Sequence, residues 1–89
     1  MKLEWDAAKA TANLNKHSVS FDEGASVLRD QLALSGADPD HSVGAPPITF
    51  GMSSLGRLLA VSHTHRPGGV RIIGARRVTR AERKIYEER

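Results

Sequence analysis

Hydrophobic and polar positions follow two periods along this chain. Near the amino end Ala7, Ala8, Ala10, Ala12 and Leu14 form a largely apolar helical face. Asp6 precedes it where an N-cap belongs, and Lys16 and His17 close it, cations that the helix dipole favours at that end. Ser20-Phe21-Asp22-Glu23 is a capping box, and Phe21, Ala25 and Leu28 recur behind it at helical spacing, which predicts a second short helix ending near Arg29. The period then shortens to two. Leu32 and Leu34 alternate with polar neighbours, and Ile48, Phe50 and Met52 alternate with Thr49 and Gly51. Residues 57–65 and 70–78 follow as two more strands, joined by Arg66-Pro67-Gly68-Gly69. Residues 2–5 read as an edge strand, and residues 36–47 as a turn-rich loop stiffened by Pro46-Pro47. Thr79-Arg80-Ala81-Glu82 is a second capping box, opening a helix that ends near Glu88.

These elements predict an α+β fold: two amino-terminal helices packed on an antiparallel sheet of three to four strands, with a short carboxy-terminal helix. If residue 65 faces 70 and 52 faces 57, one sheet face holds Ile48, Phe50, Met52, Leu59, Val61, Ile72 and Val78, and packs under the helices. The other holds Thr49, Gly51, Ser62, Thr64, Arg71, Ala75 and Arg77. In that register Arg76 falls on the covered face; a slip of one residue exchanges the faces.

Eighty-nine residues make a single domain, residues 1–89. Such a chain buries about 60–65% of its unfolded surface, so its core is thin. Without cysteine there is no disulfide and no thiolate metal site, in keeping with a reducing cytoplasm. The start, MKLEWDAAKA, lacks the apolar run of a signal peptide, and no stretch reaches membrane-spanning length.

Charge changes the picture more. The net charge is +3, yet residues 66–89 hold eight Lys or Arg against three Glu, while residues 1–65 hold five against seven acidic residues. Arginines interleaved with Val70, Ile72, Ile73 and Val78 fix a basic surface to a core strand. That arrangement points to a polyanion, nucleic acid first, or to a solvated Arg-rich face.

The motifs Trp5-Asp6, Lys9, Asn13, Lys16-His17, Val19-Ser20-Phe21, Asp40-His41-Ser42, Gly51-Met52-Ser53, Gly56-Arg57-Leu58-Leu59, Arg71-Ile72-Ile73-Gly74-Ala75-Arg76 and Glu82-Arg83-Lys84-Ile85-Tyr86 follow one another in an order that resembles the BrnT family. These are toxins of type II toxin–antitoxin systems with a RelE-like fold. The resemblance spans nearly the whole chain. It implies a cytoplasmic ribonuclease that inhibits translation, needs no cofactor, and is neutralised by BrnA, a ribbon-helix-helix antitoxin. It also implies contact with DNA only through that antitoxin, and none with a membrane. The chain departs from the family at Gly44-Ala45-Pro46-Pro47-Ile48, where members usually carry an acidic residue and an arginine. The departure admits an alternative: a weakened or inactive homologue that acts as a binding module in an autoregulatory antitoxin complex.

Metal-free RNA cleavage needs a base, an acid and cations for the charge that grows on phosphate. Arginine suits the last role, because its planar fork holds phosphate bidentately. The catalytic candidates are Arg71, Arg76 and His17; the RNA-binding candidates are Lys16, Arg57, Arg77 and Tyr86. Each also has a plainer reading. Lys16 and His17 satisfy a helix end, Arg57 is a solvated strand start, Tyr86 packs, and Glu82, a possible base, serves its capping box. His63-Thr64-His65, with Asp38, Asp40 and His41 in the loop, offers a third route through a metal, but no close third ligand accompanies the two histidines.

Overall fold

Helix α1 (Ala7–His17) starts where the Asp6 carboxylate accepts the Lys9 amide at 3.0 Å, and stops at Ser18, whose backbone turns left-handed at φ 58°. The Ser18 amide closes the helix by donating to the Leu14 carbonyl. Helix α2 (Phe21–Val27) is capped by Ser20, whose hydroxyl accepts the Glu23 amide at 3.0 Å. The structure, a computed structural model, describes residues 2–36 and 46–88. Its strands are β1 (Lys2–Glu4), β2 (Leu34–Gly36), β3 (Ile48–Met52), β4 (Leu58–Arg66) and β5 (Gly69–Arg77), followed by α3 (Arg80–Glu87) with a complete Thr79–Glu82 capping box.

The expected sheet of three or four antiparallel strands is instead a five-stranded mixed sheet in the order β1-β5-β4-β3-β2. Strand β1 pairs in parallel with β5, Lys2 opposite Gly69 and Glu4 opposite Arg71. A parallel neighbour separated in sequence by two helices and three strands leaves no hairpin signal. Gly69 makes the pairing possible, since a Cβ there would sit 2.0 Å from the Lys2 carbonyl oxygen.

The register differs from expectation at two points, and each exchanges faces. In the β3–β4 hairpin Met52 faces Leu58, not Arg57, because the turn is one residue longer. Thr49 and Gly51 therefore join Leu59 and Val61 under the helices, while Ile48, Phe50 and Met52 lie on the opposite face. In the β4–β5 hairpin residue 65 faces 70 as expected, but Ser62 then pairs with Gly74 and His63 with Ile72. Ile73 is left as a bulge. Beyond it Ala75 and Arg77 turn to the helix side, and Arg76 turns to the open side that also carries Arg71.

The core forms where Val19, Phe21, Ala25 and Val27 meet Leu59, Val61, Ile72 and Ala75. Trp5 seals its edge, its ring meeting Phe21 edge-on at 6.0 Å. Among the described residues no helix is long and apolar enough to cross a membrane.

Candidate active site

The bulge at Ile73 decides which arginines can act together. Without it Arg71 and Arg76, five residues apart, would point to opposite sides of the sheet; with it they share the open face. Helix α1 runs along the outer edge of β5, beyond the end of β1. There Asn13 Nδ2 donates to the Ala75 carbonyl at 2.8 Å and to the Val19 carbonyl at 2.9 Å, and the Ala75 amide donates to Asn13 Oδ1 at 3.2 Å. The asparagine thus takes the place of a strand residue. One helical turn later comes His17, on the same side of α1.

The result is a cleft of about 200 Å³, bounded by Asn13 and His17 on one wall and by Ser62, Gly74 and Arg76 on the floor and far side. A second hollow of about 250 Å³ adjoins it, lined by Lys9, Lys16 and Ile73 and sharing Asn13 and His17 with the first. His17 stands between the two. Lys16 and Lys9 put cations at one end and Arg76 puts one at the other.

Arg76 is held, not loose. Its Nη1 and Nη2 donate to Glu82 Oε1 and Oε2 at 2.7 and 2.9 Å, a two-point fork across to α3, and Nη1 also reaches the Arg77 carbonyl at 3.3 Å. Glu82 additionally accepts the Thr79 amide at 2.9 Å. The Arg76 guanidinium, more than any other neighbour, keeps the Glu82 carboxyl below its ordinary range. The orientation of Arg76, which lines the cleft with His17, is therefore set by the helix cap of α3.

The other sequence candidates sit elsewhere. Arg71 lies on the same open face, but toward the β1 end, opposite Glu4. Arg57 turns inward: its Nε donates to Glu23 Oε2 at 2.8 Å, its Nη2 to Glu23 Oε1, and Nη2 also to the Ser18 carbonyl at 3.1 Å. Glu23 is 5% exposed and accepts the Ser53 hydroxyl at 2.7 Å as well. Arg57, first among these, lowers the Glu23 carboxyl below its ordinary range. Its guanidinium is committed to pinning the left-handed Ser18 corner to the β3–β4 hairpin. Arg77 points to the helix side of the sheet. Tyr86 is buried, and its hydroxyl donates to Asp30 Oδ2 at 2.7 Å, a carboxylate that also accepts the Met52 amide at 2.8 Å. So His17, Lys16 and Arg76 come together; Arg57, Arg77 and Tyr86 do not join them.

Asn13, Lys9, Ser62 and Gly74 complete the cleft without having been singled out as site residues. Asn13 carried a legible signal, since it precedes His17 by four positions; Ser62 and Gly74 carried none, as their pairing depends on the bulge.

His63 is buried on the helix side, its Nε2 2.7 Å from the Thr49 hydroxyl, which in turn lies 2.6 Å from Ser35 Oγ. Burial, and secondarily the neighbouring His65, lower its pKa from the usual value. Among the described residues no three His, Asp or Glu side chains gather as a metal-holding group; Asp38, Asp40 and His41 lie outside the described residues, as do Gly44 and Ala45.

Comparison with known proteins adds to this geometry. A family model described as "Ribonuclease toxin, BrnT, of type II toxin-antitoxin system" matches residues 5–82. No curated protein sequence matches the chain. The crystal structure of the Brucella abortus ribonuclease toxin BrnT superposes with a TM-score of 0.70, covering 90% of this chain and 99% of that one at 19% identity, so the two share a fold.

Proposed function

Because the chain belongs to the BrnT family of ribonuclease toxins of type II toxin–antitoxin systems, we propose that it cleaves RNA without a metal ion, in the cleft between α1 and the open face of the sheet. One observation carries this reading: His17 and Arg76, from opposite ends of the chain, line the same hollow. An RNA strand crossing it sets one phosphate toward Arg76 and the next toward Lys9 and Lys16. The 2′-hydroxyl attacks the adjacent phosphorus and gives its proton to His17, the side-chain type suited to proton transfer near neutrality. Arg76 faces the charge that develops on the phosphate oxygens. The 5′-oxygen departs with a proton from water, leaving a 2′,3′-cyclic phosphate. Arg71 extends the same face for a more distant phosphate.

The family resemblance further supports a single toxin domain over residues 1–89 that acts in the cytoplasm on translation. Its partner is then a BrnA-like ribbon-helix-helix antitoxin, through which alone it meets DNA. Purified protein incubated with RNA in EDTA tests the cleavage. Wild type is expected to cut, and His17→Ala and Arg76→Ala to be slower by about a hundredfold or more. Equal cleavage by all three removes this cleft from the mechanism.

A second reading rests on Gly44-Ala45-Pro46-Pro47-Ile48, which holds neither the acidic residue nor the arginine that the family resemblance leads one to expect there. On that reading the chain binds its antitoxin and tunes repression without cutting. Expression in a sensitive host without antitoxin separates the two: growth arrest with RNA loss belongs to the toxin, undisturbed growth to the binding module.

A further inference from the structure

At the end of the sheet, where the β3–β4 hairpin meets the start of α3, lies a larger cavity of about 310 Å³ that takes residues from both faces of the sheet. Its rim carries Arg57, Arg77 and Arg83, and its apolar wall is Met52, Leu58 and Val78. The three cations are unevenly used. Arg57 spends its fork on Glu23, which is turned inward and already occupied. Arg77 acts on Glu23 through space, without a hydrogen bond to it. Arg83 has Glu87 at 3.7 Å, with both side chains more than half exposed, a pair worth little. The hairpin beside the cavity adds Leu55, 69% exposed, next to Met52, 39% exposed.

We infer that this cavity is an interaction surface for an acidic, leucine-type protein segment, the mode in which the antitoxin holds the chain, and not a second station for RNA. Arg77 and Arg83 beside an apolar hollow match a helix or strand that brings carboxylates at its rim and an aliphatic anchor at its centre. Single-stranded RNA asks for something different, aromatic faces on which bases stack, and among the described residues no aromatic side chain lines this hollow. Position argues the same way. No residue that lines this cavity lines the cleft at His17. The surface depends on the toxin–antitoxin reading only for the identity of the partner; it stands whether or not the other face cuts RNA.

The test uses the whole chain and a fluorescein-labelled amphipathic peptide of Glu, Ala and Leu, with a Gln-for-Glu peptide as control and a short single-stranded RNA as competitor. Fluorescence anisotropy is expected to show the acidic peptide binding more tightly than the control and weakening as salt rises. Arg77→Gln/Arg83→Gln should lower its affinity about tenfold, and Arg83→Glu alone, on the exposed side of α3, should lower it similarly. His17→Ala should leave peptide binding intact, and RNA should not displace the peptide. Equal binding of acidic and neutral peptides, binding untouched by both arginine variants, or displacement by RNA would each overturn the inference, the last by giving the cavity to nucleic acid. Because no arm measures cleavage, failure here and failure of the nuclease reading are separate results.

Discussion

Asn13 on α1 and Ala75 on β5 hold each other through both backbone groups of the alanine, amide to Oδ1 at 3.2 Å and carbonyl from Nδ2 at 2.8 Å. An amide side chain has the donor and acceptor spacing of a peptide group, so it can continue a strand edge where β1 has ended. Among side chains only the amides of Asn and Gln offer both from one planar group with that spacing. The same residue ties down the Val19 carbonyl, and so fixes α1, the turn after it and β5 as one unit.

Asn13→Ala is accordingly expected to cost about 1–3 kcal/mol, the penalty for leaving part-buried backbone groups unpaired. Thermal denaturation measures this. Asn13→Asp should do no better, since it keeps an acceptor for the Ala75 amide but sets carboxylate oxygen against two carbonyls. At a temperature where both variants remain folded, RNA cleavage should still fall, because His17 loses its alignment with Arg76. Full activity in the folded Ala variant would show that the asparagine serves only stability.

Much of this was legible in the sequence, and the failures share one cause. Asp6, Ser20 and Thr79 announced three helix starts through local chemistry, and each caps as expected. Glu23 satisfied the pattern of a capping box, yet its carboxylate leaves the cap for Arg57 and Ser53, thirty or more residues away in sequence. His17, Lys16 and Arg76 were all named from charge and motif. Their meeting was not, because it rests on the Ile73 bulge, and a bulge adds one residue to a strand without changing the alternation on either side. The parallel β1 was invisible as a pairing for the same reason that its three residues are too few to show a period.

The Glu23–Arg57 pair predicts a stability effect with no effect on chemistry. Removing one partner of a buried pair strands the other, and the cost for full burial is about 3–5 kcal/mol. Arg57 keeps 26% of its side chain exposed, so water offsets part of the loss. Glu23→Gln is expected to cost about 2–3 kcal/mol in urea unfolding. The double variant with Arg57→Met should recover much of that. A double variant as unstable as the single one would mean that the Ser53 and Ser18 contacts, and not the ion pair, hold the corner.

Acid should weaken the fold in two stages. His63 in the folded chain has its pKa lowered from the ordinary 6.5, first by burial and then by His65. The unfolded chain therefore takes up that proton before the folded one does. Its contribution to stability is fully present above about 6.5 and declines as pH falls toward the folded value. Glu23 and Glu82, lowered from 4.5 chiefly by Arg57 and Arg76, contribute above that value and lose their share as pH falls below it. Urea unfolding across a pH series should show stability level above neutrality, a first decline below pH 6.5 and a steeper one below 4.5. His63→Gln is expected to remove the first decline and leave the second. Persistence of the first decline in that variant would assign it to another group.

Glu82 offers the sharpest separation of binding from fold. It holds Arg76 by a two-point fork, so an incoming phosphate must compete with a carboxylate for the same guanidinium. In Glu82→Gln the competing charge is gone, while the side chain keeps its length and an oxygen for the Thr79 amide. Arg76 then has more of its charge for RNA, and affinity for a short RNA is expected to rise several-fold, with a steeper dependence on salt because one more cation meets phosphate. Helix α3 should lose part of its cap, a cost of about 1 kcal/mol. Cleavage per bound RNA should nevertheless drop, since an arginine freed from its carboxylate no longer stands in a fixed position across from His17. The combination of tighter binding and slower cutting distinguishes a positioning carboxylate from a general base, whose removal would slow cutting without any gain in affinity. It also distinguishes it from a mere helix cap, whose loss would leave both quantities unchanged in the folded protein.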